Sequence, residues 1–321
     1  MKRLVYYLKR VMMTPLKITR FLLFFLLVVA VTIACKKDEP EEIPPDSSPV
    51  QQLSIDDYAV EENMDEAFGD IGQILTTSTN KMDIPCGATL DSVVTVNNKV
   101  YYYITYDGLN CLGTKYREGN MVIQIKKNDS WLLAHTKVDV EFINYEITNV
   151  FNNNQMVIDG TADMTNISGG IPALLGSGIS TVIHRINAKL DVIFNGSTPG
   201  DWNLHKMMVY SGSPDNLQLA VNGFGNQQGQ NNLMSWGTDY NGRKFFIRVD
   251  ESIVFKQSCQ WLPCSGIQKY TYPQDDLNAT VTFGYNDNNQ PISGTECPTR
   301  YRIDWQQNGQ SGTIYLPLTG N

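Results

Sequence analysis

Few residues of this 321-residue chain have the types and spacings that catalyse reactions or bind metals. The three histidines, His135, His184 and His205, stand apart from one another, and none belongs to an H-E-x-x-H motif. Cys259 and Cys264 have the wrong spacing for a common zinc site. The nucleophile motif G-x-S-x-G and both glycine-rich phosphate loops are missing from the sequence. The sequence therefore predicts no metal, no cofactor and no enzymatic activity.

Carboxylates leave one enzymatic alternative open. A glycosidase needs two carboxyl groups on either side of the scissile bond. Sixteen aspartates lie beyond residue 80, mostly in turn-like contexts, whereas the glutamates there are only Glu118, Glu141, Glu146, Glu251 and Glu296. Spatial pairing cannot be read from the chain. A carbohydrate-active or other hydrolytic enzyme on a β scaffold thus remains the alternative to a binding or scaffolding protein.

Aromatic residues are the better candidates for binding. An amphipathic ring can stack on a sugar or line a groove for a lipid or peptide. The competing interpretation is that these rings form half-buried cross-strand pairs, because strands are rich in tyrosine and tryptophan. The candidate ligand-binding residues are Trp202, Tyr210, Trp236, Tyr240 and Trp261.

The N-terminal segment has the features of an export signal. Residues 21–33 form an uncharged apolar run of thirteen residues, shorter than the about 20 residues of a membrane-spanning helix, and six basic residues precede it. The run ends at Ala34-Cys35, which resembles the lipobox of bacterial lipoproteins, although Thr32 replaces the usual aliphatic residue. This resemblance implies that residues 1–34 are a cleaved signal peptide and that Cys35 carries a lipid anchor in a membrane. The alternative is an uncleaved transmembrane helix.

Residues 35–53 change to an acidic, proline-rich composition, which predicts a solvated tether. The triplet Lys37-Asp38-Glu39 resembles the lipoprotein export signal of Bacteroidota. This implies recognition by the lipoprotein export machinery and a place on the outer membrane, exposed at the cell surface. The alternative is an ordinary acidic linker.

Residues 54–76 have helical periodicity, and Ser54 is the predicted N-cap. The carboxylates Glu61, Glu62, Asp65 and Glu66 make one side of this helix acidic. Such a face can be a docking surface or cation sink, or else a solvated face opposite an apolar one. We predict the solvated face.

Residues 77–321 predict an all-β domain. Ten or more short strands without intervening helices indicate an antiparallel multi-stranded meander, sandwich or open barrel, with one short N-terminal helix. Predicted reversals are Asn97-Asn98, Asp107-Gly108, Asn241-Gly242 and Asn308-Gly309. The glycine-rich residues 168–178 are either a mobile lid or a connection whose Leu174 and Leu175 fold back on the core.

Charge excludes one class of partner. Without the six basic residues before Cys35, the chain has 19 basic and 33 acidic residues, a net charge of −14. Residues 36–80 contribute −10 of this charge, and residues 81–321 contribute −4. Because no basic surface is indicated, we expect no binding of nucleic acid.

The stretch from Cys86 to Gly170 carries a further resemblance. It contains, in order, Cys86, Thr105-Tyr106-Asp107-Gly108, Cys111, Tyr116-Arg117, and Ile158-Asp159-Gly160-Thr161. This order is similar to that of a family of uncharacterised Bacteroidota lipoproteins. The resemblance implies the compartment and the fold class, and it implies no particular activity.

The cysteines predict disulfides, since an exported domain folds in an oxidising compartment. Cys86 and Cys111 flank the first predicted hairpin, whose ends return to within about 5 Å of each other, so we pair them. Our second pair is Cys259 with Cys297, which leaves Cys264 unpaired. Pairing of Cys264 with Cys297 is the open alternative.

Overall fold

The computed structural model describes residues 48–76 and 84–318. The predicted signal peptide, Cys35 and the triplet Lys37-Asp38-Glu39 lie outside these residues, as does most of the predicted tether. None of the described helices is long and apolar enough to cross a membrane.

One α-helix and fifteen strands make up the described residues, which confirms the all-β class with a helix near the N-terminus. Three short 3-10 turns occupy Pro172–Leu174, Gln257–Cys259 and Pro273–Asp275. The α-helix and strands are α1 (Ser48–Thr76), β1 (Ala88–Val96), β2 (Lys99–Leu109), β3 (Lys115–Lys126), β4 (Thr136–Asn149), β5 (Gln155–Asn166), β6 (Thr181–Phe194), β7 (Gly200–Ser213), β8 (Asn216–Gly223), β9 (Gly225–Gln227), β10 (Gln230–Thr238), β11 (Lys244–Lys256), β12 (Leu262–Tyr272), β13 (Leu277–Tyr285), β14 (Arg300–Gln307) and β15 (Gln310–Pro317).

All fifteen strands belong to one antiparallel sheet, so the meander is the architecture observed. Neighbouring strands follow chain order from β1 to β7 and from β10 to β15. Between β7 and β11, β10 fills one half of the space and β8 fills the other. Gly223 lies where β8 meets β10, and a Cβ atom there would approach the Asn232 carbonyl oxygen to 2.3 Å. Only glycine allows this close approach of two backbones.

The sheet curves around α1. Side chains from β2, β3, β7, β10, β12 and β14 all contact this one helix. Its buried residues therefore extend around most of its circumference: Val50, Leu53, Ser54, Asp56, Asp57, Val60, Met64, Ala67, Phe68, Ile71 and Ile74. The core of the described chain is the space between this helix and the inner face of the sheet.

The predicted start of the helix was wrong. α1 begins at Ser48, and Ser54 lies inside it as a buried residue. The Ser54 hydroxyl donates a hydrogen bond to Tyr301 Oη of β14 at 3.1 Å. A residue that looks like an N-cap thus makes a tertiary contact instead.

The predicted solvated acidic face was also wrong. Its carboxylates face the sheet, where they pair with three cations that are themselves buried. Lys206 Nζ of β7, which is fully buried, bonds both Glu61 and Asp65. On the β3 side, Lys115 Nζ lies 3.1 Å from Glu62 Oε1. Because the sheet supplies these counter-ions, the helix can be both acidic and enclosed.

Arg117 makes the third of these contacts. Its Nη1 lies 2.7 Å from Asp70 Oδ2 and 3.4 Å from Glu66 Oε1. Its Nη2 donates to the carbonyl oxygen of Cys86 at 2.6 Å. The guanidinium therefore joins the last turns of α1 to the start of the sheet.

Two predicted reversals had opposite outcomes. Asn97 and Asn98 form the β1–β2 turn with positive φ angles of 48° and 61°, as predicted. Asp107-Gly108 is no turn, because both residues lie within β2 and pair with β3. The Asp107 amide donates a hydrogen bond to the Gly87 carbonyl oxygen at 2.9 Å. The residues just before β1 therefore pair with β2 on the edge opposite β3. The reversal follows Leu109.

Both preferred disulfides are present. Cys86 is bonded to Cys111 and Cys259 to Cys297, with Cα atoms 5.0 and 5.3 Å apart. Cys264 is free and buried, so the open alternative is excluded. The first bond joins the segment before β1 to the β2–β3 turn.

Lys206→Met should lower the free energy of unfolding by about 3–5 kcal/mol, because Glu61 and Asp65 would lose their buried counter-ion. The loss should be smaller at pH 5 than at pH 8. Burial raises the pKa of Glu61 and the charge of Lys206 opposes this rise, so without Lys206 the pKa of Glu61 is higher still in the folded state, which then gains protons and relative stability as the pH falls. Urea denaturation at both pH values measures this. Lys189→Met, at an exposed position of β6, is the control, and equal stability of the two variants would contradict the prediction.

Candidate ligand-binding site

A cavity of about 320 Å³ lies between α1 and the sheet strands from β7 to β14. This volume is at the lower end of the range of small-molecule sites, about 300–1,000 Å³. We call it the α1 cavity. Its polar lining consists of Ser54, Asp57, Glu61, Glu62, Asp65 and Gln268; its apolar and aromatic lining consists of Tyr58, Met208, Tyr210, Leu219, Val221, Met234, Ile253, Phe255, Trp261, Pro263, Tyr270, Phe283 and Tyr301.

The side of the cavity formed by the sheet is mostly apolar, and its tyrosine hydroxyl at position 270 is hydrogen-bonded. Leu219 and Val221 alternate along β8, and Ile253 and Phe255 along β11, so each pair presents one face of its strand to the cavity. Tyr270 Oη lies 3.1 Å from Gln268 Oε1, to which it donates a hydrogen bond. The cavity thus has the mostly hydrophobic lining with a few fixed polar groups that is typical of small-molecule sites.

The helix wall is acidic. Asp57 Oδ1 accepts a hydrogen bond from Ser235 Oγ at 2.7 Å. Burial raises the pKa of Asp57 above its ordinary value, and the Ser235 hydrogen bond opposes this rise. Burial also raises the pKa of Glu61, against the opposing charge of Lys206. These two carboxyls therefore take up protons nearer to neutrality than ordinary side chains do.

Within the part of the chain that the structure describes, Glu61 has one oxygen without a partner. Its Oε2 bonds Lys206, whereas its Oε1 is buried and accepts no hydrogen bond from these residues. A buried acceptor without a donor costs about 1–3 kcal/mol. Glu61 therefore provides an unused hydrogen-bond acceptor in a cavity whose lining is otherwise mostly apolar.

Trp261 forms the rim of the cavity. Its side chain is 39% exposed, and both Gln260 and Trp261 have positive φ angles, 55° and 60°. Such angles are strained for a bulky residue and persist only where the surroundings impose them. The disulfide between Cys259 and Cys297 ties down this turn directly before the two residues. The exposed indole is thus fixed at the entrance by the backbone that carries it.

A second cavity of about 270 Å³ lies further along α1 and shares Asp65, Met208 and Tyr210 with the first. Residues 171–173 line it, whereas Leu175 packs against Val182 and Leu217, and Leu174 is exposed. The glycine-rich loop therefore sends one of its two leucines to the core and also covers a cavity. His184 lines this cavity, and burial lowers its pKa to about 4, so its ring is neutral at physiological pH.

The structure separates the five candidate aromatic residues. Tyr210 and Trp261 line the α1 cavity. Trp202 is fully buried in the core, with its ring centroid 4.5 Å from that of Phe245. Trp236 packs on His205 at 4.6 Å, at the outer face of the sheet, and Tyr240 lies in the β10–β11 turn and lines none of the described cavities.

The outer face of β2 to β7 carries a shallow groove of about 620 Å³. Asp139 of β4 and Asp163 of β5 are directly opposite each other there. Each accepts a hydrogen bond, Asp139 from Gln124 at 2.6 Å and Asp163 from Asn187 at 2.8 Å. No group of three or more potential metal ligands occurs within residues 48–76 and 84–318.

Sequence reasoning missed most of the α1 cavity. Asp57, Met208 and Met234 were not among its candidates, and Glu61 was assigned to solvent. One signal was available: Lys206 lies between Leu204 and Met208 on an otherwise apolar face of β7. A lysine on such a face requires a buried anion opposite it.

Searches with protein-family models, curated proteins and solved structures found no match to this chain.

Proposed function

We propose that this protein is a binding protein of the bacterial cell envelope that holds a small apolar ligand in the α1 cavity. The observation that carries this proposal is the mostly apolar and aromatic lining of the cavity between α1 and the sheet, with Trp261 at its rim. A ligand that fills such a site removes its apolar surface from water, and this burial contributes roughly 25 cal/mol of favourable free energy per Å². Of the glycan, lipid and peptide classes, a small lipid-like or aromatic molecule fits this lining best.

The envelope location is part of the proposal. Residues 1–34 have the features of a lipoprotein signal peptide, and Cys35 is the proposed site of the lipid anchor. Two disulfides in the described residues support an oxidising compartment. The export machinery that recognises Lys37-Asp38-Glu39 would place the protein on the outer membrane, with the β domain at the cell surface.

A second candidate function is glycan hydrolysis at the outer groove. The observation that favours it is the directly opposed pair Asp139 and Asp163, because facing residues on paired strands have Cβ atoms about 4.5–5.5 Å apart. Two nearby carboxyls are the catalytic pair of most glycosidases. The groove is the more open of the two sites, whereas the α1 cavity is partly covered by the helix and has the more apolar lining, so we rank ligand binding first.

The neutral probe N-phenyl-1-naphthylamine should bind residues 48–318 and fluoresce, because its apolar rings fit the α1 cavity. Trp261→Ala should weaken binding about fivefold to tenfold through loss of an aromatic contact. Tyr103→Ala is the matched control, since Tyr103 is equally exposed, 39%, and lies on β2 away from the cavity. Absence of probe binding, or an equal effect of both substitutions, would contradict the proposed function.

Cys35→Ser should abolish labelling with a fatty acid and release the protein from the membrane fraction. From residue 36 onward, no apolar run approaches the about 18 residues that could anchor the chain as a helix. Replacing Lys37, Asp38 and Glu39 with alanine is the control: lipidation should persist, while protease added to whole cells should cleave less protein. Continued labelling of Cys35→Ser would show that the lipid is carried elsewhere.

A glycan-hydrolysis screen of the wild-type protein should be negative if ligand binding is its only function. If hydrolysis is detected, Asp139→Asn and Asp163→Asn should each reduce it by at least about 100-fold, as expected when a group that transfers protons is lost. Asp191→Asn, on the neighbouring strand but outside the groove lining, is the control. Hydrolysis that is lost in the Asp139 and Asp163 variants and retained in Asp191→Asn would make the outer groove the main functional site.

A further inference from the structure

We infer that the ligand of the α1 cavity is a cationic amphiphile, an apolar or aromatic body with an ammonium group that binds Glu61. This inference rests on the proposed function and specifies its ligand class. It starts from the combination of an apolar cavity with an unused carboxylate oxygen, to which an ammonium group donates a stronger hydrogen bond than a neutral hydroxyl does.

The charges around the cavity favour a cation. Among residues 48–76 and 84–318, Lys206 is the basic group that bonds Glu61 and Asp65, so these three side chains together carry a net negative charge when ionised. Asp57 adds a further carboxylate, bonded by the neutral hydroxyl of Ser235. An incoming ammonium would balance this excess, whereas a carboxylate or phosphate would increase it.

The unpaired oxygen gives the cation a specific partner. Glu61 Oε1 is buried, lacks a donor and belongs to a side chain that lines the cavity. An ammonium group brings N–H donors and charge together, and such charge-assisted hydrogen bonds are stronger than neutral ones. Binding would therefore satisfy an acceptor that the protein leaves unsatisfied.

The aromatic lining suits the rest of the ligand. Tyr210, Trp261 and Tyr301 lie in the same cavity as Glu61. Aromatic faces attract cations and also cover apolar surface. The site thus offers contacts to both parts of an amphiphile, with the carboxylates on the helix side and the rings on the sheet side.

The titration of Glu61 should control binding. The charged and titratable groups around it in the cavity wall, with its counter-ion, are Asp57, Tyr58, Glu62 and Asp65 on α1, Lys206 and Tyr210 on β7, Tyr270 on β12, and Tyr301 on β14. Burial raises the pKa of Glu61, so its ionised fraction falls as the pH is lowered from 8 to 5. Affinity for a cation should fall over the same range, and affinity for a neutral analogue should not.

The experiment compares 4-phenylbutylamine, 4-phenylbutanol and 4-phenylbutyrate by displacement of bound N-phenyl-1-naphthylamine. At pH 8 the amine should bind at least about tenfold more tightly than the alcohol, and the butyrate should bind most weakly. Glu61→Gln should reduce the preference for the amine to about twofold or less without changing affinity for the alcohol. Glu66→Gln is the matched control, because Glu66 lies on the same helix but pairs with Lys115 and Arg117 outside the cavity.

The outcomes separate this inference from the proposed function. Equal binding of the amine and the alcohol, or an unchanged preference in Glu61→Gln, would overturn the cation assignment while leaving an apolar site. If the probe itself does not bind, the proposed function fails. Should Glu61→Gln not fold, the wild-type protein provides the test: the preference for the amine must fall by at least about fivefold between pH 8 and pH 5, and a constant preference would overturn the assignment.

Discussion

Charge matching between an acidic helix and a curved sheet is the constraint on which this structure depends. Within the described residues, Lys115, Arg117 and Lys206 are buried on the inner face of the sheet, and each bonds carboxylates of α1. A charge taken out of water is tolerated only with a close counter-ion. These contacts fix which side of α1 faces β3 and which faces β7. They therefore favour this orientation of the helix over the other orientations that apolar packing alone would allow.

The same arrangement creates the candidate site. A lysine between two carboxylates cannot occupy every acceptor, so Glu61, which lines the same cavity as the apolar residues of β8 and β11, keeps one oxygen without a partner among the described residues. The rim is fixed from the other side, where the Cys259–Cys297 disulfide precedes the strained backbone of Trp261. Acidic side chains and an aromatic rim thus line one cavity. We regard this meeting as the functional feature of the molecule, and the opposed aspartates of the outer groove as its rival.

Local signals were reliable where local forces decide the structure. Asn97-Asn98 makes its turn because asparagine tolerates positive φ, and the hairpin it closes brings Cys86 and Cys111 together. Asp107-Gly108 has the same kind of signal, but pairing with β3 and the contact to Gly87 keep it extended. Ser54 likewise looks like a helix start, yet its hydroxyl bonds Tyr301 inside a longer helix. In both failures a tertiary contact outweighed a weak local preference.

The sequence by itself determined the all-β class, the helix near the N-terminus and the Cys86–Cys111 disulfide, because strand alternation, helical periodicity and hairpin closure act over short stretches of chain. The tertiary structure decided that Cys259 and not Cys264 pairs with Cys297. The acidic side of α1 was visible as well, but its environment was not. Whether Glu61 and Asp65 face water or Lys206 depends on residues more than 140 positions away, which only the curvature of the sheet brings beside them. The tertiary structure alone therefore decided that these carboxylates line a cavity, and with it what kind of ligand the protein can bind.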